Sequence, residues 1–186
     1  MVENEVKYIL KIDSKFDTTG WDATVIEQHY LPNSVRIRRS SFMQDSTSAI
    51  NYKSFMQDST FTMNHKYLRS DNSYNELEYD IDVQVFNLLK RQQSLASIKK
   101  TRFSKLFGDE LWAIDLLATD ANWAIYFVLA ECEMPENRQS PLHIPTQITD
   151  NLLFAVPREE TSLYSNYRLA DLGYARAIYE SVTYGS

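Results

Sequence analysis

In segment after segment of this 186-residue chain, charged residues alternate with apolar ones. Side chains two apart along a strand share a face. Glu3, Glu5 and Lys7 therefore lie opposite Val2, Val6 and Tyr8, with Asn4 interrupting the apolar row. Arg36 and Arg38 lie opposite Val35 and Ile37, and Lys66 falls in line with Thr62 and Asn64. Glu76, Glu78, Asp80 and Asp82 alternate with Leu77, Tyr79, Ile81 and Val83. Lys100 and Arg102 alternate with Thr101 and Phe103, Asp115 stands between Ile114 and Leu116, and Glu131 and Glu133 bracket Cys132. Any one of these strands reads as the wet face of an antiparallel sheet. Together they repeat pairs of a single sign, where a solvated face would mix in Ser, Thr and Gln. A sheet closed on itself would gather the charges inside and turn its apolar faces out beneath helices. Such an interior offers Lys and Arg to a polyanion and carboxylates to a hard divalent cation.

The spacing predicts strands near 2–12, 33–40, 60–68, 74–83, 98–105, 111–118 and 124–134, an antiparallel rather than a βαβ arrangement. Helices are predicted over 83–93, with Asp82 as N-cap, and over 168–182. Four of the five prolines fall within 135–160, which reads as a loop with a short helical piece. Ser41-Phe42-Met43-Gln44-Asp45-Ser46-Thr47 recurs as Ser54 to Thr60, a tandem duplication that lengthens one hairpin near 41–60. The chain reads as one domain, 1–186. A lone cysteine, Cys132, fits a reducing, cytoplasmic setting and a core thiol. The N-terminus has no signal-peptide pattern, and the longest apolar run is too short to span a bilayer, so no membrane partner is expected. Four glycines, none close together, exclude both common glycine-rich phosphate loops. His29, His65 and His143 show no metal-ligand spacing. A net charge of −6 argues against long nucleic acid held on a basic exterior.

Taken in order, these segments resemble the CYTH, or triphosphate tunnel metalloenzyme, superfamily. Glu3-Asn4-Glu5-Val6-Lys7 is similar to its ExExK signature. Gln28-His29-Tyr30-Leu31 with Val35 to Arg38 resembles its QGYL…RxR segment, and Met63 to Lys66 its strand ending in a phosphate-binding lysine. Glu76-Leu77-Glu78 followed by Val83 to Leu89 resembles its central ExE strand and helix. Lys100-Thr101-Arg102 matches its KxR strand, Trp112 to Leu116 its strand with one aspartate, and Glu131-Cys132-Glu133 its final ExE. The tail departs: where relatives carry a YKNK-like stretch, Tyr164 to Arg168 offers only Arg168 as a charge.

The resemblance implies an α+β fold: an eight-stranded antiparallel β-barrel enclosing a tunnel, with helices outside. It implies a metal-dependent triphosphatase using Mg2+ or Mn2+ on inorganic triphosphate, thiamine triphosphate or a nucleoside triphosphate. The substrate would meet Arg36, Arg38, Lys66, Lys100, Arg102 and Arg168. Glu3, Glu5, Glu78, Asp115, Glu131 and Glu133 would supply metal ligands, and Lys7 with Tyr30 would activate water. A homodimer is compatible with this reading. Two alternatives stand beside it: a class IV adenylyl cyclase and a non-catalytic nucleotide- or polyphosphate-binding protein. The HF dipeptide common before ExExK in that cyclase branch is absent from residues 1–2.

Overall fold

The computed structural model describes residues 4–43, 59–68, 74–120 and 122–185. Among the described residues nine strands carry the fold: β1 (Glu5–Leu10), β2 (Asp22–Leu31), β3 (Val35–Phe42), β4 (Ser59–Leu68), β5 (Tyr74–Asp80), β6 (Ala96–Phe107), β7 (Glu110–Ala118), β8 (Ile125–Glu133) and β9 (Leu152–Ala155). They form one sheet in the order β5-β4-β3-β2-β6-β7-β8-β1-β9, antiparallel at every ladder. Helix α1 (Val83–Gln93) follows β5, and α2 (Thr146–Thr149), α3 (Asn166–Leu169) and α4 (Leu172–Tyr184) follow β8.

The α+β class and the antiparallel sheet stand, but the eight-stranded closed barrel does not. Among the described residues no ladder joins the terminal strands β5 and β9. β9 supplies a reason: it pairs with β1 from Tyr8 opposite Ala155 to Leu10 opposite Leu152. β1 thus has β8 on one side and β9 on the other, leaving no free edge there for β5.

The ladders place the predicted charges on one face. Gln28 pairs with Arg38 and Tyr30 with Arg36, while Arg36 and Arg38 also pair with Asn64 and Thr62. Arg102 pairs with Asp115, Ala113 with Glu131, Glu131 with Lys7, and Glu133 with Glu5. The opposite face is apolar: Val6, Tyr8, Trp112, Ile114, Val128, Ala130 and Cys132 bury against Trp21 and Ile148. Under β2 and β3, Leu31 and Ile37 bury with Phe86 of α1.

The charged face is itself apolar at one end, where Ile9, Ile98, Leu117, Phe127 and Leu129 pack with Tyr164, Leu169 and Ala175. The C-terminal helices therefore cover one end of the charged face instead of lying outside it. Both faces being covered explains why β8 is buried from Phe127 to Cys132 without alternation. The single predicted C-terminal helix is two. Asp171 caps α4 by accepting from the Tyr174 N–H at 3.1 Å, so the chain starts a new helix there. The duplicated hairpin lies outside the described residues except for Ser41 to Met43 and Ser59-Thr60.

Candidate functional site

The face divides into two electrostatic halves. Across β1, β8, β7 and β6 the charges saturate one another. Lys7 Nζ lies 2.7 Å from Glu131 Oε1 and 2.9 Å from Glu5 Oε1. Arg102 is bidentate on Asp115, with Nε to Oδ1 and Nη2 to Oδ2 both 2.7 Å, and its Nη2 also donates to Glu131 Oε2 at 2.7 Å. Lys100 Nζ donates to Asp115 Oδ2 at 2.5 Å. Lys100 and Asp115 are 1% and 0% exposed, so this pair is cut off from water, while Arg102 and Glu5 reach the surface.

The titration directions follow from that packing. Burial opposes ionisation of Asp115, but Arg102 and Lys100 hold its carboxyl well below the usual carboxylate range. Burial likewise opposes the Glu131 charge, and Lys7 and Arg102 overcome it. Lys7 stays above an ordinary lysine because Glu131 and Glu5 outweigh its burial. Lys100 is pulled down to about 8 by burial and by neighbouring Arg102, more than Asp115 restores.

Across β2 and β3 the balance reverses. Arg38 donates from Nε and Nη2 to the neutral Oε1 of Gln28 at 3.3 and 3.2 Å. Arg36 keeps a buried Nε with no hydrogen-bond partner. Among the described residues neither arginine has a carboxylate within the 4.0 Å of an ion pair. Arg38 is pulled down to about 10 by burial, then by Arg36 and Arg102, with Glu78 and Asp115 recovering only part. A guanidinium remains charged at neutral pH, so this marks a concentration of positive potential without a matching anion. Gln28 links this half to Tyr30 by donating from Nε2 to its hydroxyl. Burial holds the Tyr30 phenol above its usual range, although Arg36 pulls it down.

The other predicted site residues are less gathered. Glu5 and Glu133 face one another across the β1–β8 ladder, with Glu133 exposed. Glu78 is exposed on the terminal strand β5, seven strands along the order from β1. Lys66 is placed by its backbone opposite Glu76, and Glu3 lies outside the described residues. Lys7 bonds to Glu131 and Glu5, whereas the Tyr30 hydroxyl accepts from Gln28. Arg168, the one charge of the tail, is exposed with its guanidinium 5.8 Å from the Tyr174 ring. The tail instead reaches the face through two residues that no motif marked. Asn166 Oδ1 accepts from Lys100 Nζ at 3.4 Å, and the Tyr167 ring meets Tyr30 edge-on at 5.1 Å. An amide and an aromatic beside Arg168 carried no charge pattern to draw notice.

As a metal site, the six predicted carboxylates split. Both oxygens of Asp115 and of Glu131 are already taken by Lys and Arg donors, which makes them poor cation ligands as they stand. No group of three or more metal-type side chains converges among the described residues. Glu5, whose Oε1 already meets Lys7 Nζ at 2.9 Å, and the exposed Glu133 face each other at the β1–β8 end, and two carboxylates suit Mg2+, which fills its other positions with water and phosphate oxygens.

No protein-family model and no curated protein matches the chain. Solved structures do. The crystal structure of the hypothetical protein NE1496 superposes with a TM-score of 0.53 and 22% identity, over 90% of this chain and 97% of that one. The crystal structure of the inorganic triphosphatase NE1496 gives 0.52 and 21%, over 91% and 95%. This likeness, at 21–22% identity, is one of fold. The chain shares the fold of these two structures. Of the strands that carry the motifs of the CYTH resemblance, β1, β6, β7 and β8 build the paired half of the charged face and β2 and β3 the arginine half, while β4 and β5 lie beyond them. No described helix is long and apolar enough to cross a membrane.

Proposed function

We propose that the charged face binds a triphosphate and, with a divalent cation, hydrolyses it. The observation that carries this reading is the pair Arg36 and Arg38, without an ion-pair partner among the described residues, on a face where Lys7, Lys100 and Arg102 are already paired. The fold likeness to an inorganic triphosphatase supports it. A triphosphate brings about four negative charges, and the two guanidiniums supply fork-shaped donors that match phosphate oxygens. Arg102 borders this pair, but Asp115 and Glu131 already match its charge.

Glu5 and Glu133 would hold Mg2+ or Mn2+ at the β1–β8 end. When bound, the ion would neutralise phosphate oxygens and lower the pKa of a coordinated water. In hydrolysis, a water oxygen attacks the terminal phosphorus and gives up its proton to solvent, while the P–O bond to the bridging oxygen breaks and the diphosphate, free or as its ester, leaves with that oxygen. Arg36 and Arg38 counter the charge on the equatorial and leaving oxygens, where preorganised donors act most strongly. Lys7 stays positive between Glu131 and Glu5, and Tyr30 stays neutral through burial. In this state the pair counters charge and donates hydrogen bonds; it does not take a proton.

The test is a substrate panel of inorganic triphosphate, thiamine triphosphate and ATP, with Mg2+ or Mn2+ and with chelator. Phosphate release that requires the cation supports the reading. Cyclic AMP with diphosphate identifies a cyclase, and tight binding without turnover identifies a sequestering protein.

A further inference from the structure

The tail joins the two halves of the face. Its Asn166 touches Lys100 of the paired half, and its Tyr167 touches Tyr30, which is linked through Gln28 to Arg38. We infer, resting on the triphosphate reading, that Tyr167 is a specificity-determining residue: it favours a triphosphate carrying a planar base, a nucleoside triphosphate, over inorganic triphosphate.

The inference stands on placement. Tyr30 and Tyr167 form an aromatic step, ring centroids 5.1 Å apart at 78°, beside the arginine pair. Tyr30 is largely covered, with its hydroxyl accepting from Gln28. Tyr167 is 54% exposed, so it leaves ring surface open next to the anion-binding groups. Helix α3 is anchored by Leu169, 0% exposed, and its position does not require the Tyr167 ring to be buried. Arg168 is drawn to the Tyr174 ring, so Asn166 and Tyr167 are what α3 presents to the face. Every nucleobase has a π-face, and stacking on an exposed aromatic tolerates any base. Inorganic triphosphate has nothing to place against the ring.

The experiment compares the full chain with Tyr167→Ala and Tyr167→Phe. Calorimetry with Mg2+ gives the Kd of ATP and of inorganic triphosphate, and phosphate release is followed separately. Tyr167→Ala is expected to shift the ratio of the two Kd values about tenfold against ATP, and Tyr167→Phe to restore it. An unchanged ratio in Tyr167→Ala overturns the inference, whether or not turnover persists. A shifted ratio without phosphate release keeps the inference and removes the hydrolase reading. Failure of both ligands to bind removes both.

Discussion

Asp115 shows how much one buried carboxylate organises. It accepts three hydrogen bonds from Lys100 and Arg102 with no water to share the load. Replacing one member of such a buried set leaves the others uncompensated. Asp115→Asn is expected to lose about 3–5 kcal/mol of unfolding free energy, read by urea denaturation. A second network on the opposite face gives a pH signature. Glu27 accepts from His29 Nε2 at 3.0 Å and from Lys90, and His29 Nδ1 meets Ser94 Oγ at 3.0 Å. The hydrogen bond from His29, then Lys90, holds the Glu27 carboxyl down to about 2 against the cost of burial. Between about 2 and the ordinary 4.5 the unfolded chain binds the extra proton, so this stabilisation is present above 4.5 and lost as pH falls toward 2. Unfolding free energies of the wild type and Glu27→Gln should therefore converge as pH is lowered through that window. A constant gap would contradict the assigned cause.

At the scale of elements, alternation exposed seven strands and hid two. β2 lies in the middle of the sheet with Gln28 buried on one face and His29 on the other, so it shows no wet side. β9 has four residues inside a proline-rich stretch, too short to show any period. Helix α1 was legible to the residue because Asp82 accepts from the Gln84 and Val85 N–H groups at 2.8 Å each. It is held to the sheet by Phe86, 2% exposed against Phe61 and His29. Phe86→Ala is expected to cost about 3–5 kcal/mol, with loss of helical circular dichroism preceding loss of the sheet. The repeat also makes a prediction. Deleting 48–60 brings Ser46-Thr47 to the place of Ser59-Thr60, so β4 keeps its sequence opposite Ser41 and Ser40. The connection then shrinks to Phe42–Asp45, an ordinary hairpin length of about four residues. The deletion variant should unfold cooperatively within a few degrees of the full chain, and a collapsed transition would show that the second copy is needed.

For the whole molecule, a net charge of −6 says little about the ligand, because the charge is sorted by position. The like-sign pairs were visible in the sequence, but which cations were spent on carboxylates was not. That depends on register: Arg102 falls opposite Asp115, while Arg36 and Arg38 fall opposite Tyr30 and Gln28 on one side and Asn64 and Thr62 on the other. Sheet closure was illegible for the same kind of reason, since the short β9 occupies the outer edge of β1. The account rests on the claim that Arg36 and Arg38 are the open half of the site. The direct measurement is phosphate release from inorganic triphosphate with Mg2+ by the wild type and Arg38→Ala, with both melting curves recorded. A fall in kcat/KM of about 100-fold or more at an unchanged Tm is the expected result, in keeping with the loss of one transition-state donor. Full activity in Arg38→Ala would contradict the account.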